Sequence, residues 1–199
     1  MTDRLVIKRN KTREKIIQTA IGIFSQKGFH LTKMEEIAEK ASVAKGTIYI
    51  YFRTKKELFS SLFSQALHLI EERILRVNQK ETDPQVRLEN IPTVLFEILQ
   101  ERKEFFQLIF QNFFLADPQS KTVFEQWKRR MVSALSSDIQ ETGKGKDSSA
   151  KIAAQIVFYF LLSLALGFLN GDLEIQEKET MRLIRWNYNA LLGVLQNEV

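Results

Sequence analysis

The chain has 199 residues, 29 Lys and Arg against 24 Asp and Glu, a formal net charge of +5, eight glycines, three prolines and no cysteine. Without cysteine, disulfides and thiolate metal sites are excluded; with few breakers and no convincing polar-apolar alternation, the chain is expected to be all-α and long enough to bury a sizeable core. Met1 to Asn10 is charged and lacks a long apolar stretch ending in small residues, so export is not indicated and a cytoplasmic location is expected. The charge is uneven: residues 1–60 hold 13 Lys and Arg against 6 Asp and Glu, the remainder 16 against 18. A basic head on a nearly neutral body is the electrostatic footprint of a nucleic-acid reader joined to a sensing or pairing module.

In chain order, Lys11 to Lys27 carries Ile16, Ile17, Ala20, Ile21 and Phe24 at helical spacing and stops at Gly28, a residue common just past a helix end. Ahead of it, Arg4, Lys8, Arg9, Lys11 and Arg13 form either an arm along DNA or an unordered tail. A second helix is predicted to open at Thr32, whose hydroxyl can accept from a first-turn amide while Glu35 reaches back. Its Met34, Ile37, Ala38 and Ala41 recur at helical spacing. The break at Ser42-Val43 lies so close to Lys45-Gly46 that it suits two crossed helices with Val43 held between them.

On a wheel of about 3.6 residues per turn, the third helix turns Ile48 and Phe52 inward. Gly46, Thr47 and Ile50 lie away from that side, with Tyr49 and Tyr51 on the flanks. Gly46 costs about 1 kcal/mol of helix stability against Ala, which makes sense where backbone must approach a phosphate; Lys45 adds a cation there. Such a helix-turn-helix is a DNA-reading device. Lys55-Lys56-Glu57-Leu58 then starts a helix continuing through Phe59, Leu62, Phe63, Leu67, Ile70, Ile74 and Leu75, which joins head to body.

The body reads as helices over 85–101, 104–115, 118–140, 148–171 and 176–197. Asp83-Pro84 and Asp117-Pro118 are helix-start signals, Pro92 either kinks its helix or delays its start, and residues 142–147 are a plain loop lacking the phosphate-loop pattern around Lys144. Between Ile152 and Leu169 only Gln155, Ser163 and the Tyr159 hydroxyl are polar. A membrane span competes with a buried helix, since about 18 apolar residues reach the lower limit for crossing a bilayer. The absence of a flanking positive cluster and the amphipathic helix that follows favour burial in protein and no membrane partner. The phenylalanine-rich body suggests a cavity for a small, mainly apolar effector, with Phe106, Phe110, Trp127, Gln155, Tyr159 and Phe160 as candidate walls and Ser163, Asn112 and Gln107 as further polar handles.

Gly28-Phe29, Thr32, Ile37-Ala38, Val43 to Tyr49, Tyr51-Phe52 and Lys55 to Leu58 together resemble the DNA-binding domain of the TetR family of bacterial one-component regulators. Four positions depart from the usual pattern: Lys33 for Thr or Ser, Ser42 for Gly, Ala44 for a capping Ser, and Ile50 for a frequent His. A missing cap at Ala44 costs about 1 kcal/mol, and Ser42 must either accept a left-handed backbone or change the turn.

The resemblance implies a three-helix DNA-binding head, residues 1–54, and a helical effector-binding and dimerisation body, residues 55–199. It implies a homodimer formed through the last two helices, with Ala165 and Gly167 permitting close crossing. The expected function is a ligand-released repressor on an inverted-repeat, double-stranded DNA operator. The alternative is a helical small-molecule-binding protein or enzyme in which DNA binding is secondary. His30 and His68 stand in no nucleophile or metal-ligand pattern, so no catalytic residue, metal or cofactor is expected. Thr32, Lys33, Lys45, Tyr49, Tyr51 and Lys55 are assigned to phosphates, with Gly46 allowing close approach, and Thr47 and Ile50 to bases. Six to eight neutralised phosphates per dimer would give a log-log salt slope of about −5 to −7.

Overall fold

The computed structural model describes residues 2–112, 118–143, 147–173, 182, 184, 186–190 and 193. Among the described residues eight helices have both ends defined: α1 Thr2–Leu31, α2 Met34–Lys40, α3 Lys45–Tyr51, α4 Lys55–Asn78, α5 Pro84–Glu101, α6 Lys103–Gln111, α7 Pro118–Glu141 and α8 Asp147–Asn170; residues 186–190 are helical as well. No strand occurs among the described residues, as the sparse breakers and helical periodicity require. The predicted helix over 176–197 falls largely outside them, as do Asp117, Lys144 and the Phe113-Phe114 pair.

Helix α1 begins earlier than expected, so its N-terminal cations ride on helix rather than on an extended arm. Arg13 is committed to the fold: its guanidinium sits 5.2 Å from the Phe52 ring centroid and donates to Ser61. The regular helix is interrupted at Gly28, whose φ of 81° and ψ of 162° are open essentially to glycine alone. Ile16, Ile17, Ala20, Ile23 and Phe24 bury one side of α1 against Met34, Ile37 and Ala38 of α2, Ile48 of α3, and Leu58 and Phe59 of α4. Phe24, Phe29 and Phe59 form a cluster of tilted and edge-on rings, with centroids 5.2–6.4 Å apart.

The α2–α3 turn closes with the Val43 amide donating to the Ala38 carbonyl at 2.9 Å. Ser42 takes the left-handed conformation with φ 52°, so the turn keeps its usual path and the non-glycine residue bears the strain. Ala44 caps α3 with backbone only.

Helix α4 is shared. Leu58 and Phe59 belong to the head core, whereas Ile70 and Ile74 lie among the body helices, and one contiguous core runs through both. Asp83 caps α5 by accepting from the Gln85 amide at 2.8 Å, with Pro84 in the first turn. Pro92 is accommodated inside α5 and buried, so the helix neither ends nor starts there. Arg87 ties the start of α5 to the end of α7, donating through Nε to Asp138 at 2.9 Å and pairing with Glu141. Burial holds the Asp138 carboxyl above its ordinary value, with the Arg87 bond opposing.

Helix α8 is long and apolar enough to cross a membrane, with mean hydropathy 2.2 over Ser149–Asn170. Ala150, Ala153, Ala154, Val157, Phe158, Leu161, Ala165, Phe168 and Leu169 are nevertheless buried in the core of the chain. Ile152, Ile156 and Tyr159 form an exposed stripe on its other side. Ala165 therefore packs inside its own chain rather than at an exposed crossing point, and Gly167 approaches Leu173, whose Cβ lies 3.6 Å from an ideal glycine Cβ.

Candidate nucleic-acid interface

The face of α3 follows the wheel. Ile48 and Phe52 are buried, and Tyr49 and Ile50 are exposed, Ile50 to 72%. Thr47 is half-buried beside them. A Cβ added at Gly46 would meet nothing within 4 Å, so the fold itself has no need of glycine there. Lys33 is the exposed N-cap residue of α2.

Two of the expected phosphate contacts have other work. Thr32 is 1% exposed, and its hydroxyl donates to the Gly28 carbonyl at 2.8 Å instead of capping α2, which starts two residues later. Lys55 Nζ donates to the carbonyls of Phe29 at 2.7 Å, His30 at 3.0 Å and Thr32 at 2.7 Å, and lies 4.6 Å from the Phe29 centroid. It thus caps the end of α1 with a charge. Burial, then the nearby Lys27 charge, pull its pKa below the ordinary lysine value. Tyr51 is also displaced from the set: half-buried against the core, it lines a cleft with Arg13, Ser61, Ser64 and Val123 at the junction of head and body.

Sequence reasoning missed Glu35. Its Oε1 lies 3.0 Å from Lys45 Nζ and accepts from the Tyr49 hydroxyl at 3.3 Å. One carboxylate therefore holds two of the groups expected on phosphates. The spacing of ten between Glu35 and Lys45 across a turn was the available signal. The pair is exposed; the hydrogen bond to Glu35 raises the Lys45 pKa, while Glu35's own backbone amide, then Lys45, lower that of Glu35.

Residues 16–62 match the family model described as bacterial regulatory proteins, tetR family. That segment, the helix-turn-helix head, is a TetR-type DNA-binding domain. An HTH-type transcriptional regulator of Bacillus subtilis, YuxN, is 36% identical over 99 residues, 49% of this chain and 34% of its own. The HTH-type transcriptional activator FasR of Mycolicibacterium smegmatis is 26% identical over 111 residues, 56% of this chain and 51% of its own. The matched segment thus spans about a third to a half of these relatives. Over the whole fold, FadR from Bacillus subtilis, solved in complex with stearoyl-CoA, superposes with a TM-score of 0.69 at 21% identity, covering 94% of this chain and 98% of that one. The fold, a helix-turn-helix head on a helical body, is therefore shared along the chain with that structure, and the sequence relatives are named as regulators of transcription.

In the body, an apolar cavity of about 50 Å³ lies among α4, α5, α6, α7 and α8. Of the six expected wall residues, it gathers Phe110 and Trp127. Phe106 is fully buried against Phe105, and Phe160 packs on the core without reaching the cavity. Tyr159 and Gln155 instead line an outer groove of about 650 Å³ between α7 and α8, with Lys128, Arg129 and Lys151. The other handles are elsewhere too: Gln107 donates to the Leu169 carbonyl at 2.6 Å, Asn112 to the Leu108 carbonyl at 2.8 Å, and Ser163 is exposed. The walls that sequence reasoning missed are aliphatic, among them Ile74, Leu99, Met131 and Leu161. Ordinary core periodicity gave no way to single them out.

Proposed function

We propose that this chain is a homodimeric, DNA-binding transcriptional regulator whose body binds a small, mainly apolar effector that releases the head from an inverted-repeat operator. The observation that carries the reading is α3, pinned by buried Ile48 and Phe52 while Lys45, Gly46, Tyr49 and Ile50 are exposed on its outer side, Lys45 and Tyr49 held there by Glu35. A seven-residue helix so anchored, with an uncovered isoleucine beside a lysine, suits a major groove: Lys33, Lys45 and Tyr49 take phosphates, and Thr47 and Ile50 meet base edges, Ile50 against a thymine methyl. Lys33 and Lys45 from two heads neutralise about four phosphates, giving a log-log salt slope of about −4, shallower than Lys55 would have made it.

Dimerisation supplies the two heads with their spacing. It is supported by the Ile152, Ile156 and Tyr159 stripe of α8 and by Trp186, 67% exposed, large apolar side chains left open among the described residues. Release is supported by a run of contacts from cavity to head. Trp127 on the cavity wall packs on Phe124, centroids 5.8 Å apart, and Phe124 on Phe63 of α4 at 6.4 Å. One turn further, Ser120 of α7 donates to Ser60 of α4 at 2.7 Å, next to Phe59 in the head core. A cavity of about 50 Å³ is far below the roughly 300–1,000 Å³ of ligand pockets. An effector must then displace wall side chains to enter, which is the differential interaction with two states that release requires.

Selection of bound duplexes from a random DNA pool, with Lys45→Ala and Tyr49→Ala as controls, tests the reading. Enrichment of an inverted repeat by wild type alone is expected. No enrichment in ligand-stripped protein would overturn it.

A further inference from the structure

We infer that the effector is a neutral apolar molecule carrying one hydrogen-bond acceptor, a carbonyl or ether oxygen, which Trp127 Nε1 engages; this rests on the body being the effector site. The side chains on the cavity wall are aliphatic or aromatic, and Trp127 alone among them carries a conventional polar atom, its indole N–H. Trp127 is 6% exposed, and its Nε1 is buried without a hydrogen-bond partner among the described residues. Four other buried side-chain atoms share that condition, on Gln65, Thr93, Tyr188 and Asn189, and none of those residues lines the cavity.

An indole that could meet no acceptor would be better replaced by phenylalanine, because an unpaired buried donor costs a full desolvation. The surrounding rings, Phe124 at 5.8 Å and Phe158 at 5.6 Å, already satisfy its apolar body. The N–H is thus a donor awaiting a ligand. A charged group is ruled out by the same wall, since none of its side chains offers a counter-charge.

The test uses full-length protein and two matched probes: methyl heptyl ketone, and its isostere in which a methylidene group replaces the oxygen. Calorimetric affinities are measured for both probes on wild type and Trp127→Phe. The ratio of ketone to isostere affinity is expected to be about tenfold higher in wild type, the worth of one neutral hydrogen bond. The ratio, rather than either affinity, is decisive because it cancels the probes' different hydration. In Trp186→Phe protein, the remaining indole N–H resonance of Trp127 should move downfield with the ketone and not with the isostere; this arm decides should Trp127→Phe fail to fold. Equal ratios in the two proteins, or an unmoved resonance on ketone binding, would overturn the inference and leave the effector cavity standing. Failure of both probes to bind would overturn the cavity reading and the inference together.

Discussion

Head and body differ in how they treat buried polar groups. In the head the joints are satisfied: Lys55 caps the end of α1, Thr32 bonds the Gly28 carbonyl, and Lys27 pairs with Glu36. Every buried side-chain atom left without a partner among the described residues lies beyond residue 64, on Gln65, Thr93, Trp127, Tyr188 and Asn189. The contrast teaches where each half has its freedom. A satisfied network fixes one geometry, as a helix proposed to enter a groove needs, whereas unsatisfied polar atoms and a small void leave the body something to gain from a ligand.

The largest break in that contrast should come from Lys55→Met, which keeps the stem but strips the charge from three carbonyls. We expect a loss of about 2–3 kcal/mol in urea unfolding, with DNA binding falling because the head loses its shape. The body answers in the opposite sense. Ala165→Val adds two methyl groups into the cavity and should stabilise by about 1 kcal/mol, burial outweighing the helix penalty of valine. The same change should weaken ketone binding in calorimetry. Smaller still, Ser42→Gly relieves the left-handed residue in the turn and should raise the urea midpoint by about 0.5–1 kcal/mol equivalent without altering DNA preference. Glu35→Gln frees Lys45 and Tyr49 from the carboxylate that holds them and should tighten binding to random duplex by about threefold at low salt. Tighter operator binding alone would place Glu35 at a base instead.

The exposed face of α3 was legible because a short helix with two large apolar residues four apart has one inward side. At Ser42 the sequence left two outcomes open, a left-handed residue or a changed turn, and the left-handed one is found. Thr32 and Lys55 were not legible. Local spacing proposed a capping box at Thr32, while the bond actually made reaches back to Gly28 and the capping cation comes from Lys55, far along the chain. In the body, Trp127 and Phe110 were found among the aromatics, but Tyr159 and Gln155 were placed inside although they face out. A helix as uniformly apolar as α8 carries no periodicity to tell its core side from its outer side. The helix after it lies mostly outside the described residues, so the expected pairing face rests on α8 and Trp186.

The most direct measurement compares Lys45→Ala and Thr47→Ala on operator and on random duplex across a salt series. If α3 reads DNA as proposed, Lys45→Ala lowers affinity for both duplexes alike and flattens the dimer's log-log salt slope by about 2. Thr47→Ala should lower operator affinity while leaving random binding and the slope unchanged. Equal loss of specificity in the two variants, or a slope near zero in wild type, would contradict the account.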